Sequence, residues 1–404
     1  MLHLSVALVA SSFLPASEPS CVLSPAQSDD PNARAHGILQ LAFDSASRLP
    51  EMPHVKTRSR LQGELVEAAL DAGSVSLAND WASRITNWRQ ALAYATVASY
   101  CAEHGEEELA RKALGSAERL ETGLTGDSVR GWRRDRVRVR IAETYLRLGD
   151  REAAAALQVM VDPEEGGHLS VVDSQLREMD AEAIDAQVER LVKIAEEGSF
   201  AVTLAALKSM GHLYGRAYED DDRRAAIETK IRAGWTTLPS PLRMEVLEIL
   251  IEYDLEHDQK ARALTKIGDV EAFAEGRGFQ PELLVAFGAK VARLRGEAGD
   301  REGGIRAADD ALTLYDETRE SIVEIFRGEA LRPLAEAYVE LGETMTATDL
   351  YKRALAEAVV NPNSRPRAED LVKTTISIVR SGIEPSDALI EALEETAESL
   401  GDPW

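Results

Sequence analysis

Residues 331–358 have the sequence LRPLAEAYVELGETMTATDLYKRALAEA, which contains two apolar stripes at the spacing of an α-helix. The first stripe consists of Leu331, Leu334, Ala335, Tyr338 and Leu341. The second consists of Ala347, Leu350, Tyr351, Ala354, Leu355 and Ala358. Gly342 and Glu343 interrupt the pattern between them. Because the turn is so short, the two helices must lie antiparallel and cover part of each other's apolar face.

Turns of the same kind recur along the chain. We place them at Gly73, Gly105, Gly149, Tyr218, Asp258, Gly299, Gly342 and Gly382. From Tyr218 onward the intervals are 40, 41, 43 and 40 residues, which indicates an internal repeat. The interval from Gly149 to Tyr218 is 69 residues and contains a glycine-rich break at 164–167. It therefore predicts an irregular connection, with helices at 170–179 and 181–197.

Small or apolar residues occupy equivalent positions around these turns. Seven positions before the turn come Val66, Ala98, Ala142, Ile251, Ala292 and Ala335. Five positions after it come Ala78, Ala110, Ala154, Ala263, Gly304 and Ala347. The pairs at Tyr218 and Gly382 depart from the pattern, because Arg223 and Asp387 stand where a small residue is expected. The register of the first of these pairs and the turn position of the second stay open.

This pattern resembles the tetratricopeptide repeat (TPR), a helix–turn–helix unit from which protein-binding solenoids are built. The resemblance implies an array that binds peptides or helices along the concave face formed by the first helix of each pair. Intervals near 41 residues exceed the roughly 34 residues of a TPR unit and approach the length of HEAT and armadillo units. The pattern within each pair favours a TPR-like unit, with a HEAT-type or other α-solenoid as the alternative.

We therefore predict an all-α protein, a right-handed α-solenoid of antiparallel helix pairs. Residues 29–57 are expected to form a lead-in segment with one helix near 35–47, and residues 58–165 an amino-terminal block of repeats. Residues 166–199 should form the irregular connection, and 200–360 a carboxy-terminal block. Residues 361–404 should form a linker, NPNSRPR at 361–367, and a final pair that caps the array. Its polar outer face would carry Glu391, Glu394, Glu395 and Glu398.

The composition agrees with a helical protein. The hydrophobic share is 44%, but aromatic residues make up only 5%, so the core must be mostly aliphatic, which suits closely stacked helices. The formal net charge of −24 repels phosphate backbones and anionic lipids, which disfavours nucleic-acid and membrane-surface partners. No stretch of about 18 uninterrupted apolar residues occurs, so we expect no stable membrane insertion.

Residues 1–28 differ from the rest of the chain. Residues 2–14 are apolar, a segment rich in serine, proline and alanine follows, and Ala26 and Ser28 are small residues at positions that a signal peptidase recognises. These features predict a removable signal peptide and a periplasmic or secreted mature protein. Because no Lys or Arg precedes the apolar segment, a cytoplasmic location is the alternative.

Catalytic motifs are not found in the sequence. No two of the seven histidines have the i, i+4 spacing of a helical zinc site, and no phosphate-binding loop, nucleophile elbow or dinucleotide fingerprint occurs. Cys101 lies on an apolar stripe, which indicates a buried side chain. We expect no cofactor, no metal and no enzymatic activity. An enzyme or small-ligand-binding protein with a site in the concavity is the alternative.

The most basic stretch is RGWRRDRVRVR at 130–140, with six arginines in eleven residues. These arginines either pair with acidic residues of neighbouring helices, such as Glu106 to Glu108, or form a patch for a carboxylate- or phosphate-bearing partner. On a helix, Arg133, Arg136 and Arg140 share one flank.

Positions beside the core stripe of the first helices should be partly exposed on the concave face. We predict protein-binding residues there and in the arginine stretch: Arg133, Arg136, Arg140, Glu143, Arg293, Arg332 and Glu336. The function that follows is a non-catalytic interaction scaffold, with a protein or peptide bound along the concave face. A self-assembling structural component of a cell envelope is a further alternative, and the oligomeric state stays open.

Overall fold

The computed structural model of the protein describes residues 31–124, 131–161, 179–274 and 278–404. These residues contain 18 α-helices and no β-strand, which confirms the predicted all-α repeat solenoid. Sixteen helices form eight pairs, and the other two, α1 (Pro31–Arg48) and α8 (Ala181–Glu197), each precede a pair. The predicted signal peptide and most of the helix predicted at 170–179 lie outside the described residues.

The first helices of the pairs are similar in length, mostly 15 to 17 residues. They are α2 (Glu51–Asp71), α4 (Arg89–Glu103), α6 (Gly131–Arg147), α9 (Phe200–Arg216), α11 (Ser240–Glu256), α13 (Pro281–Glu297), α15 (Glu324–Glu340) and α17 (Ser364–Arg380). The second helices vary more. They are α3 (Val75–Ser83), α5 (Glu107–Gly123), α7 (Arg151–Gln158), α10 (Asp221–Gly234), α12 (Lys260–Ala274), α14 (Arg301–Thr318), α16 (Thr344–Val359) and α18 (Asp387–Glu398).

Each of the predicted turns lies between the two helices of a pair. Gly342 shows why a glycine suits this position, because its φ of 77° is in the left-handed region. This conformation lets Glu343 N donate to Tyr338 O (2.8 Å) and Gly342 N donate to Val339 O (2.9 Å), which satisfies carbonyls at the end of α15. Asp258 adopts the same conformation with φ of 55°. The turns are therefore helix C-caps.

The small residues predicted around the turns are buried. This holds for every position named seven before or five after a turn. At Gly304, a Cβ would lie only 2.5 Å from Leu341 Cδ2 and 2.9 Å from Ala292 O. The approach of α13 and α14 thus requires the absence of a side chain at this position.

The two irregular pairs differ from the pattern in register rather than in architecture. In α10, Arg224 is buried and Arg223 points outward to Asp185, a shift of one residue from the expected slot. The second irregular turn does lie at Gly382, with φ of 69°. However, α18 begins at Asp387, later after its turn than the other second helices. Asp387, in the expected slot, is therefore exposed, and Leu389 is buried.

The two ends of the described chain pack against each other. Helix α1 contacts α17 and α18, and α17 also contacts α2. Leu39 and Phe43 of α1 belong to the same buried core cluster as Ile390 and Leu393 of α18. The final pair therefore does not end the array as a polar cap, because its apolar face is covered by the amino-terminal helices.

Polar contacts join the same two ends. Arg48 Nη1 donates to Ala397 O (2.8 Å), and Nη2 of the same guanidinium donates to Leu400 O. Arg60 pairs with Glu369 (2.8 Å). The contacts of Arg48 thus bond carbonyls at and just beyond the C-terminal end of α18.

The order of the helices in space differs from their order in the chain. In space, the row begins at α8 and follows the chain to the last pair, α17 and α18. It then continues with α1 and α2, the first helices of the chain, and ends at α7. Residues 162–178, between α7 and α8 in the sequence, lie outside the described residues. Helices α1 and α17 begin inside the segments expected to be a lead-in and a linker, since α17 starts at Ser364.

One buried polar cluster connects α9, α11 and α12. Asp254 is fully buried and accepts hydrogen bonds from Tyr214 and Tyr218 hydroxyls (both 2.8 Å) and from Lys266 Nζ (2.6 Å). Burial and the adjacent Asp254 carboxylate raise the pKa of both tyrosines well above its usual range. Because a buried carboxylate is tolerated only with such partners, the cluster fixes the relative positions of the three helices.

Shortening Leu393 tests whether the chain ends form one structural unit. Leu393→Ala removes a fully buried side chain, so we expect the free energy of unfolding to fall by about 2–5 kcal/mol. Because α1 shares this core cluster, hydrogen exchange should also accelerate within residues 31–48.

The matched control is Leu247→Ala, which shortens an equally buried leucine of α11 in a different core cluster. It should leave the exchange of α1 relative to α4 unchanged, because both helices belong to the other core cluster. Faster exchange in Leu393→Ala confined to residues 364–404 would contradict the joining of the ends.

Candidate functional site

The first helices lie side by side and form one surface, which we call the first-helix face. Ion pairs connect neighbouring helices across it. Lys208 pairs with Glu245 (2.6 Å) between α9 and α11, and Lys373 pairs with Glu329 (3.5 Å) between α17 and α15. Arg380 of α17 pairs with Asp71 of α2 (2.8 Å). The face is therefore polar and continues across the join between the chain ends.

Arg293 and Arg332 are two of the predicted binding residues, and both lie on this face in ion pairs. Arg293 is half-buried and bridges Glu248 of α11 (2.7 Å) and Glu297 of its own helix. Arg332, expected to be partly exposed, is only 6% exposed because it pairs with Asp370 (2.7 Å) between α15 and α17. Gly328 makes room for this pair, since a Cβ there would lie 3.3 Å from the Asp370 carboxylate.

Glu143 and Glu336 occupy equivalent positions six residues before their turns. Glu143 was expected to be partly exposed, but it is buried where α6 packs against α4 and accepts a hydrogen bond from Arg140 (2.9 Å). Glu336 is half-buried and accepts a hydrogen bond from Ser377 of α17. Both carboxylates therefore contribute to the contacts that hold the face together.

The arginine stretch of α6 divides into two groups. Arg134 and Arg138 turn towards α5, where both donate to Glu121 (2.6 and 2.8 Å), and Arg138 also donates to Met160 O (3.0 Å). Pairing with the preceding helix was thus anticipated, but the partner is Glu121 rather than Glu106 to Glu108. Arg130 lies outside the described residues.

The other three arginines are those predicted to share one flank. Arg140 pairs with Glu143, and the guanidinium of Arg133 lies over the Trp132 ring at 5.3 Å from its centroid. Arg136 is exposed. Within the described part of the chain, no carboxylate forms an ion pair with Arg133 or Arg136. The flank therefore carries positive charge that neighbouring carboxylates only partly neutralise.

Two adjacent pockets open on the first-helix face, and both are lined by Glu64 of α2. One has a volume of about 280 Å³ and lies among α2, α4 and α6, with Arg60, Arg89 and Arg136 in its wall. The other has a volume of about 300 Å³ and lies among α15, α17 and α2, with Arg332, Glu336, Lys373 and Arg380 in its wall. The structure thus brings three of the predicted binding residues to neighbouring pockets.

Several carboxyls of this face have a raised pKa. Burial is the main cause for Glu67, Glu143, Glu252, Glu297 and Asp370, and nearby arginines oppose it in each case. At Glu252 the like charges of Glu248 and Glu297 add to the effect. The first-helix face therefore holds carboxylates that ionise less readily than ordinary surface groups.

Sequence reasoning missed Glu67, Glu252 and Arg60 as members of this face. Glu67 and Glu252 stand six positions before Gly73 and Asp258, the spacing that identified Glu143 and Glu336. Arg60 stands thirteen positions before Gly73, as Arg136 does before Gly149. The same spacing applied to every pair would have found them.

A larger groove, of about 1130 Å³, lies away from this face between α1, α3 and α5. It exists because α3 has only nine residues and leaves space between its neighbours. Polar groups in its wall are already bonded, His36 to Ser74 and Gln40 to Trp81. The groove therefore offers mainly apolar contact through residues such as Leu77 and Leu109.

Cys101 is fully buried in the core, and burial raises the pKa of its thiol to about 11, so it is not a reactive thiolate at neutral pH. In the described ranges, no cluster of three or more His, Cys, Asp or Glu side chains has an arrangement that would hold a metal ion. None of the helices in those ranges is long and apolar enough to span a membrane.

No protein-family model and no curated protein matches this sequence. Among solved structures, the chain is similar to a "circular tandem repeat protein with novel repeat topology and enhanced subunit contact surfaces". The two are 16% identical over 91% of this chain and 94% of that chain, with a TM-score of 0.24. Because the two backbones do not superpose closely at this TM-score, we infer nothing about this chain from that protein.

Glu252 provides a test of the electrostatics of the face. Its folded-state pKa is raised, so its ionised form destabilises the folded protein as pH rises through that value. Glu252→Gln should therefore increase the free energy of unfolding at pH 7. The gain should be about 0.5 kcal/mol or less, because the side chain is only partly desolvated and the water that still reaches it screens the neighbouring charges. The gain should vanish near pH 3, where the carboxyl is protonated in both states.

Thermal unfolding of Glu252→Gln between pH 3 and 8 measures this effect. Glu395→Gln, at an exposed position of α18, serves as the control and should give a smaller change. A Glu252→Gln protein that is less stable than the wild type at pH 7 would contradict the assigned direction.

Proposed function

We propose that this protein is a non-catalytic, TPR-like scaffold that binds a protein or peptide segment along the first-helix face. The observation that carries the proposal is the pair of adjacent pockets on this face, which share Glu64 and extend over five successive first helices. An extended segment could lie across α15, α17, α2, α4 and α6 and place consecutive side chains in the two pockets.

The character of the face supports binding of a polar segment. Its side chains form hydrogen bonds and ion pairs between helices, as in Arg332 with Asp370 and Arg293 with Glu248, so they are held in place before a partner arrives. A rigid surface loses less conformational entropy on binding than a flexible one. The TPR resemblance supports the same location, since arrays of that kind bind along their first helices.

We also propose that the protein is exported and acts in the periplasm or outside the cell. This proposal rests on residues 1–28, whose apolar segment precedes small residues at Ala26 and Ser28. Amino-terminal sequencing of the natively produced protein should find a chain that starts after residue 28 or close to it. A native protein that begins at Met1 would contradict export.

Cross-linking tests the binding face. With the full-length protein in native extract, a lysine-reactive cross-linker should join the partner to Lys373 of α17, which lines one of the two pockets. Lys352 of α16 is the matched control, because its side chain is 37% exposed and that of Lys373 is 34% exposed. Mass spectrometry locates the cross-linked residues. Partner cross-links confined to Lys352 and Lys260, on second helices, would contradict the proposal.

A further inference from the structure

The pocket among α2, α4 and α6 has an unbalanced set of charges. We propose that it is a subsite for one carboxylate of the bound segment, held by Arg89 and Arg136. This inference rests on the proposed function and names the chemistry of the segment.

Arg60, the third arginine of the pocket, is already neutralised. Its guanidinium donates to Glu64 Oε1 (2.7 Å) and to Glu369 Oε2 (2.8 Å). It therefore contributes to the wall of the pocket and to the join between α2 and α17, and it has little capacity left for a ligand.

Arg89 and Arg136 differ from Arg60 in this respect. Among the residues that the structure describes, neither forms an ion pair with a carboxylate. Burial and the nearby positive charges of Arg136 and Arg60 lower the pKa of Arg89, with Glu64 opposing them. Two guanidiniums without an ion-pair partner thus line the same pocket, although the chain as a whole has a net charge of −24.

The charges in the pocket wall indicate a single carboxylate. Three arginines and two glutamates, Glu64 and Glu67, give the wall a net charge of +1, which one carboxylate neutralises. A phosphate dianion would overcompensate and lie close to the two glutamates. The planar guanidinium groups of Arg89 and Arg136 match a carboxylate geometrically and can each donate two hydrogen bonds to it.

Aromatic rings position Arg89. Its guanidinium lies over the Trp88 ring at 4.9 Å from the centroid, and Trp88 packs edge-to-face on Trp132 at 5.6 Å. On the other side of this pair, Arg133 lies over Trp132. The stack restrains Arg89 in the absence of a ligand, so less side-chain entropy is lost when a carboxylate binds. Leu92, Ala93 and Thr96 supply apolar contact in the pocket wall for the rest of the residue.

The test uses a random dodecapeptide phage library selected on the full-length protein. Enriched peptides are synthesised, and their dissociation constants are measured against the wild type and Arg89→Gln/Arg136→Gln. The control is Arg111→Gln, which removes an exposed arginine of α5, a second helix, from its pair with Glu107. We expect the enriched peptides to contain Asp or Glu, and the double variant to weaken their binding at least 10-fold. The control should bind as the wild type does.

Three further measurements define the ligand and the fold of the variant. Replacing the acidic residue by its amide and amidating the peptide terminus distinguish a side-chain carboxylate from a terminal one. The double variant should melt no lower than the wild type, because it removes two unneutralised charges. Displacement by inorganic phosphate at concentrations where acetate has no effect would overturn the assignment of a single carboxylate.

The remaining outcomes separate this inference from the proposed function. Peptides that cross-link to first-helix lysines but need no acidic residue, or bind the double variant equally, overturn the subsite and leave the scaffold proposal intact. If no peptide is enriched, or every enriched peptide cross-links only to second helices, both proposals fail.

Discussion

Every helix pair of this protein has an apolar face that only a neighbouring pair can cover, and this constraint governs the whole structure. A linear array must leave such a face uncovered at each end unless a capping helix is polar. Here the helices at the two ends of the described chain cover one another, so that Leu39 of α1 and Leu393 of α18 share one core cluster. The hydrogen bonds of Arg48 to Ala397 O and Leu400 O accompany this packing.

The same packing shapes the first-helix face, on which we propose that a partner binds. Because α17 lies against α2, the first-helix face does not stop at either chain end, and its two pockets lie on the two sides of the join. A surface that crosses this point is built from segments more than 300 residues apart, such as Arg60 and Glu369. The first-helix face therefore depends on the integrity of the join.

Features that depend on neighbours in the sequence could be predicted well. The turn at Gly342 and the buried Ala347 follow from local periodicity, and Gly382 was located correctly although the helix after it begins late. The packing of α1 on α17 could not be predicted, because apolar periodicity shows that a face is buried and not what covers it. Local spacing made both Arg136 and Arg332 candidates. Arg136 is exposed, but Arg332 is buried against Asp370, a neighbour 38 residues away that local spacing does not reveal.

The join between the ends also sets the time at which the protein can finish folding. Arg48 and Leu400 are 352 residues apart, so α1 leaves the ribosome long before the helix that covers it exists. At a synthesis rate of roughly 5–20 residues per second, the apolar side of α1 stays uncovered for on the order of 20–70 seconds before α18 is made. During synthesis that surface is available for aggregation or for a chaperone. A chain kept unfolded until translation is complete would form both ends of the array together.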